Sequence, residues 1–238
     1  MIASGRCVCC LSFEIMGNSV SLKLFHCHEA RSMRSLWLIN ELGLDIDVIL
    51  CAFGPELRSD DYLAHHPLGR VPCLIDDELT LFESGAIAEY LCETYDNGRL
   101  WREPGHPERP QWLQWVHYAE TLTVHSASLT QQAIAISDPE LRSATVRKLE
   151  TKRLQKAIEV LEAHLESRSY LLDSGFSAAD VGVGYSLHVG GLFTDLSVFP
   201  KVYAYYNRLA SRDAFKRSLP EAGAANKIYT QDNYWLAP

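Results

Sequence analysis

The chain has 238 residues, enough for one generous domain or two small ones. Hydrophobic residues make up 47% and charged residues 22%, a balance that can fill a core. A formal net charge of -8 argues against broad binding to nucleic acid or anionic membranes, and no run of about 18 apolar residues marks a membrane span.

The seven cysteines are Cys7, Cys9, Cys10, Cys27, Cys51, Cys73 and Cys92. Their odd number, with none beyond Cys92, argues against a disulfide framework and for a reducing, cytoplasmic setting. Cys7, Cys9 and Cys10 have no histidine or second cysteine pair nearby, so no metal site is predicted. Glu14 interrupts the short apolar run of the first residues, which makes a signal peptide a poor reading. Residues 1–19 are read as a loose extension, with Met16 an equally good start.

The first half alternates strand and helix. Ser21–His26 is predicted as a strand and Ser32–Leu42 as a helix, stopped by Gly43. Ile46–Phe53, rich in β-branched residues, is a second strand. LRSDDYLAHH makes a short helix ending at Pro67. PCLID and LTLF pair across Asp77-Glu78, and Ser84–Tyr95 is a helix with Ile87, Tyr90 and Leu91 at helical spacing.

After Tyr95 the pattern changes. The stretch DNGRLWREPGHPERP, rich in Pro, Gly and charge, reads as a linker, and everything beyond it reads as helix. Trp112, Trp115, Val116 and Ala119 form one stripe. Asp138-Pro139 is expected to cap a long helix whose Leu154, Ala157, Ile158, Leu161 and Leu165 share a face. Ser177 and Asp180 form a capping box, and Pro200 opens another helix through Leu209. The expected division is an α/β domain over 20–96, a linker over 97–109, an all-helical domain over 110–219 and a tail over 220–238.

HPLGRVPCLIDDELTLFESGAIAEYL (His66–Leu91) is the most informative stretch: turn, hairpin, then helix start. Together with SGFSAADV it resembles the cytosolic glutathione transferases. With LFHCHEARSMRSLWLINELGLDIDV, it looks most like their fungal Gtt-type branch and bacterial relatives. The resemblance spans about Ser21 to Leu219. It implies a thioredoxin-like βαβ-αββα domain followed by a helical bundle. It also implies glutathione as co-substrate, transfer to an apolar electrophile or use in peroxide or disulfide reduction, and a homodimer.

The resemblance also implies site residues. Val71, before a cis Pro72, offers its N–H and C=O to the cysteinyl unit of glutathione. Glu83 meets the ligand's ammonium. Ser84, at a helix start, meets the γ-glutamyl carboxylate. Arg70 can reach the glycine carboxylate, or it is simply an exposed turn residue.

The thiolate needs an activator near Glu29–Arg34. The tyrosine, serine and cysteine that serve this purpose in the family are missing: no tyrosine lies between Ser21 and Arg34, and Ala30 and Arg31 occupy the serine and cysteine positions. Ser32 assisted by Arg31 is the expected substitute, with helix-start N–H groups as the third option. Cys27 reads as a buried small hydrophobe. Trp115, Tyr118 and Thr121 are the expected wall for the second substrate, against the alternative that the tryptophans are core. A non-catalytic partner-binding protein on the same fold, such as a stress-response factor, and a glutathione-dependent isomerase or ether-cleaving enzyme stay open beside the transferase.

Overall fold

The computed structural model describes residues 22–235. The readings that fall on the first residues, including Cys7, Cys9, Cys10 and Met16, lie outside this range.

Four strands form one sheet in the order β2-β1-β3-β4: β1 (Leu22–His26), β2 (Asp47–Leu50), β3 (Cys73–Asp76) and β4 (Leu79–Phe82). β1 and β2 are parallel, joined through α1 (Ser32–Leu42), while β3 runs antiparallel to both β1 and β4. Parallel neighbours need such a crossover, whereas β3 and β4 need only the Asp77-Glu78 turn, where Asp77 takes a φ of 50°. β2 is shorter than its run of β-branched residues predicts. Phe53, 60% exposed, lies beyond its last ladder pair, His26↔Leu50.

Alternation along β1 divides the core. Leu22 and Leu24 face Met33, Trp37 and Ile39 of α1 and the main core. On the other face, Cys27, Leu57, Tyr62, Val71 and Cys73 form a smaller cluster. α2 (Asp60–Leu63), capped by Ser59, belongs to that second face, and a 3-10 turn, Pro55–Arg58, precedes it. α3 (Ser84–Tyr95) follows β4 directly.

The helical half comprises α4 (Arg109–Thr130), α5 (Ala144–His164), α6 (Ala178–Gly190), α7 (Pro200–Ala210) and α8 (Asp213–Lys216). The stripe Trp112, Trp115, Val116 and Ala119 is buried, as is Leu154, Ala157, Ile158 and Leu161. One expectation is corrected. Asp138-Pro139 caps only a 3-10 turn, Pro139–Leu141, while α5 starts later, with the Ser143 hydroxyl accepting from Val146 N–H. Asp138 accepts from Glu140 N–H in the same way, so the cap is real but the helix behind it is not the long one.

The α6 capping box is present, and buried Asp180 extends it: Oδ2 accepts from Ser177 N–H, and Oδ1 from Leu171 N–H and the Tyr205 hydroxyl. α6 packs against both α1 and α4 because it is thin. A Cβ on Gly184 would lie 2.8 Å from the Trp37 ring and from a Leu209 methyl. That contact fixes α1, and the site at its start, against the helical half.

Candidate functional site

Three segments meet at one end of the sheet: the loop before β3, the start of α3 and the start of α1. The loop is shaped by Gly69, whose φ of 57° brings it to the Leu57 carbonyl. A Cβ there would stand 2.4 Å from that oxygen. Gly69 N–H donates to His66 C=O, and the Tyr62 hydroxyl holds the Arg70 carbonyl. Arg70 is exposed and Val71 buried, and the Val71–Pro72 bond is cis. Burial lowers the His66 pKa, and its ring packs on Phe82.

Glu83 precedes α3 with φ 75° and ψ 111°, a conformation that a side chain adopts only under constraint, and its carboxylate is exposed. Ser84 opens the helix, where N–H groups lack partners and favour an anion. Behind it stands Arg34, which is buried. Its Nη1 donates to the Ser84 hydroxyl at 3.0 Å and to Glu120 at 3.1 Å. Its Nη2 donates to the Ala119 carbonyl, Thr123 and Ser186. Burial depresses the Arg34 pKa, and Glu120 opposes that shift.

The start of α1 departs from expectation. Ser32 is fully buried, and its hydroxyl is engaged inward. It lies 2.8 Å from His26 Nδ1, accepts from Cys27 N–H at 3.2 Å and sits 3.3 Å from the Cys27 carbonyl. A hydroxyl spent on its own loop has no face left for a ligand thiol, so the assignment of Ser32 as thiol donor is withdrawn. Burial pushes the Cys27 thiol up to about 12 and the His26 imidazole down to about 4, so both are neutral groups of the interior.

Arg31 is the partly exposed cation here. It pairs with Glu120 at 2.6 Å, and the two side chains are 36% and 51% exposed. Burial pulls the Arg31 pKa down, but the hydrogen bond and charge of Glu120 outweigh it and the net shift is upward. Glu120, which bridges Arg31 and Arg34, is held below its usual range despite its own burial. No sequence signal singled out Glu120, since an exposed carboxylate on a helix is the commonest surface residue.

The second-substrate wall is also revised. Trp115 is 3% exposed between the rings of Tyr118 and His164, and the Tyr118 hydroxyl donates to the Ala157 carbonyl at 2.9 Å. Both therefore join α4 to α5 inside the bundle. Thr121 is exposed.

The tail approaches the cleft instead. Tyr229 N–H donates to the Glu29 carboxylate at 3.0 Å, and its hydroxyl pairs with Thr130 at 2.9 Å. Ile228 packs on the cluster that contains Val71 and Cys27. Among the described residues, no group of three or more His, Cys, Asp or Glu is arranged to hold a metal.

This arrangement has known counterparts. The glutathione S-transferase N-terminal domain family matches residues 20–93. A probable glutathione S-transferase GSTF1 of Oryza sativa subsp. japonica is 30% identical over 194 residues, covering 77% of this chain and 88% of the rice protein. Glutathione S-transferase 1 of Schizosaccharomyces pombe is 27% identical, covering 84% and 95%. Among solved structures, the glutathione transferase URE2P8 from Phanerochaete chrysosporium superposes with a TM-score of 0.76 at 21% identity, covering 84% and 93%. The four-stranded thioredoxin-like sheet and the helical half that follows it are those of a glutathione S-transferase fold. The chain belongs to the glutathione S-transferase family.

Proposed function

We propose that the protein binds glutathione, stabilises its thiolate and transfers it to an apolar electrophile. The juxtaposition that carries this reading is the cis Val71–Pro72 edge beside Glu83-Ser84, with Arg34 behind Ser84. The Val71 backbone takes the cysteinyl unit as an added strand. Glu83 takes the ammonium, and the Ser84 hydroxyl and helix start take the γ-glutamyl carboxylate. Arg70, exposed at the same loop, takes the glycine carboxylate. The rice and fission-yeast relatives carry the transferase name, and URE2P8 was solved with oxidized glutathione, which supports the same ligand class.

With Ser32 turned inward and the Met33 and Arg34 N–H groups already donating to the Ala30 and Arg31 carbonyls, the thiolate is stabilised by the Arg31 guanidinium and the positive end of α1. Arg31 keeps its charge at every relevant pH, and its partner Glu120 orients it. The electrophile lies between this helix start and Tyr229 of the tail, with Thr121 on the exposed side of α4 as a further contact. We also propose a cytoplasmic homodimer, in keeping with the family resemblance. Among the described residues, Cys27, Cys51, Cys73 and Cys92 are free thiols.

The test is an ultraviolet titration of thiolate in the glutathione complex, followed by conjugation to a chlorodinitrobenzene. A thiolate band at neutral pH with product formation is the expected result. Binding without a thiolate band would favour the non-catalytic reading.

A further inference from the structure

The turn that carries the chain from β1 into α1 rests on one strained residue. Ala30 N–H donates to the Cys27 carbonyl at 3.2 Å, and Glu29 is the third residue of that turn, with a φ of 64°. Glycine or asparagine usually fills such a position, because a longer side chain crowds its own backbone there. The Ala30 carbonyl then accepts from Met33 N–H at 2.9 Å, so the turn runs straight into the first turn of α1. The backbone angle at Glu29 therefore decides where that helix start, and Arg31 on it, is aimed.

Two distant elements hold Glu29 in place. The Tyr185 hydroxyl of α6 donates to its carbonyl at 3.1 Å, and Tyr229 N–H of the tail donates to its carboxylate at 3.0 Å. A glycine would meet the demand of the turn but could not make the second bond. Strained backbone persists where its surroundings over-determine it, and such residues cluster at functional sites. Tyr185 is buried, and the Arg34 guanidinium lies over its ring, 5.2 Å from the centroid. One side chain thus backs both the helix start, through Glu29, and Ser84, through Arg34. Tyr229 is anchored in turn by Thr130 and by the Phe193 and Tyr234 rings.

We propose that Glu29 is a positioning residue for the thiol. It aims Arg31 and the positive end of α1 at the glutathione sulfur, and it makes that aim depend on the seating of the tail. This role rests on the reading of the cleft as a glutathione site.

The experiment is the ultraviolet titration of bound glutathione thiolate in the full chain, with kcat and KM for conjugation to a chlorodinitrobenzene, on Glu29→Val, Glu29→Gln and Tyr185→Phe. Valine is β-branched and does not hold a positive φ. Glu29→Val should raise the thiol pKa by about one unit, a loss of up to about tenfold in thiolate and in kcat at neutral pH. KM for glutathione, set by Val71, Glu83 and Ser84, should stay near that of the parent. Glu29→Gln keeps an acceptor for Tyr229 N–H and should keep most of the parent's kcat. Tyr185→Phe, which answers the same question should Glu29→Val fail to fold, keeps the ring beneath Arg34 and loses only the donor to Glu29. It should raise the thiol pKa by a smaller amount. The sign separates geometry from charge, since removing a carboxylate near a thiolate would by itself lower the thiol pKa. An unchanged or lowered pKa in both Glu29→Val and Tyr185→Phe, or a Glu29→Gln as impaired as Glu29→Val, would overturn the role of Glu29. No thiolate band in the parent would overturn the glutathione reading itself, and this role with it.

Discussion

Arg34 donates to the Ser84 hydroxyl at 3.0 Å although the two residues are 50 positions apart. One lies on the crossover helix and the other at the start of the helix that follows the hairpin, so the bond joins the two helix starts that build the site. It also gives a buried cation two tasks. Arg34 positions Ser84, and with Thr123, Ser186 and the Ala119 carbonyl it fastens the α/β half to the helical half. Removing it takes one donor from the Ser84, Thr123 and Ser186 hydroxyls and from the Ala119 carbonyl, and leaves Glu120 without one of its cations. Arg34→Met is therefore expected to destabilise the fold by about 1–3 kcal/mol, the cost of buried hydrogen-bonding groups that lose a donor. Arg34→Lys, which keeps the charge but not the fork, should recover part of this and still bind glutathione more weakly. Thermal melts beside calorimetric titration would separate the two effects. Unchanged melting of Arg34→Met would remove Arg34 as the fastening.

Glu83 makes the opposite prediction. Its carboxylate is exposed and its backbone is held at positive φ, so its side chain adds little to the fold. Glu83→Ala should weaken glutathione binding by at least about tenfold, a charge-assisted contact being worth about 1.5–3 kcal/mol, with the melting temperature nearly unchanged. Retained affinity in a titration would remove Glu83 from the site.

Arg31 and Ser32 are neighbours with opposite expectations. Arg31→Ala should raise the pKa of bound glutathione thiol and lower turnover at neutral pH more than it lowers binding. Ser32→Ala should leave the thiolate band where it was and instead destabilise the protein by about 1–3 kcal/mol, because His26 and the Cys27 loop lose a buried partner. A thiolate band weakened by Ser32→Ala and untouched by Arg31→Ala would reverse the assignment.

The difference between these two residues marks how far the sequence could be read. Ser32–Leu42 and Ser84–Tyr95 are helices at the predicted bounds, because apolar spacing, Gly43 and a strand end leave the chain few choices there. Glu83-Ser84 and Val71–Pro72 are likewise local signals, and they fall at the junction of the elements. The direction in which Ser32 points depends on His26, a partner in the preceding strand that no spacing rule connects to it. Trp115 and Tyr118 raised the same difficulty: a helical stripe shows which residues are buried together, not which neighbour they are buried against. Glu120 lies 86 positions from Arg34 and carries no motif at all. Asp138-Pro139 misled for a simpler reason, since a cap serves a 3-10 turn as well as a helix.

Buried histidines set the acid limb of stability. Burial pulls both His26 and His188 down to about 4 from an ordinary 6.5. The unfolded chain therefore binds more protons than the native one between pH 6.5 and about 4, and stability falls as pH falls through that window. Asp180 works against this. Burial raises it from 3.8 to about 6, so in the native state it takes up its proton first, and this adds stability as pH falls below about 6. The net trend is a loss on acidification, since His66, also lowered by burial, acts with His26 and His188 against Asp180, each limited to about 1.4 kcal/mol per pH unit. His188→Gln, which keeps a polar partner for the Tyr206 hydroxyl at 2.9 Å in the parent, should flatten the slope between pH 6.5 and 4 by up to one proton's share. Urea melts across that range would measure it. An unaltered slope would mean that His188 is solvated enough to titrate normally in the folded protein.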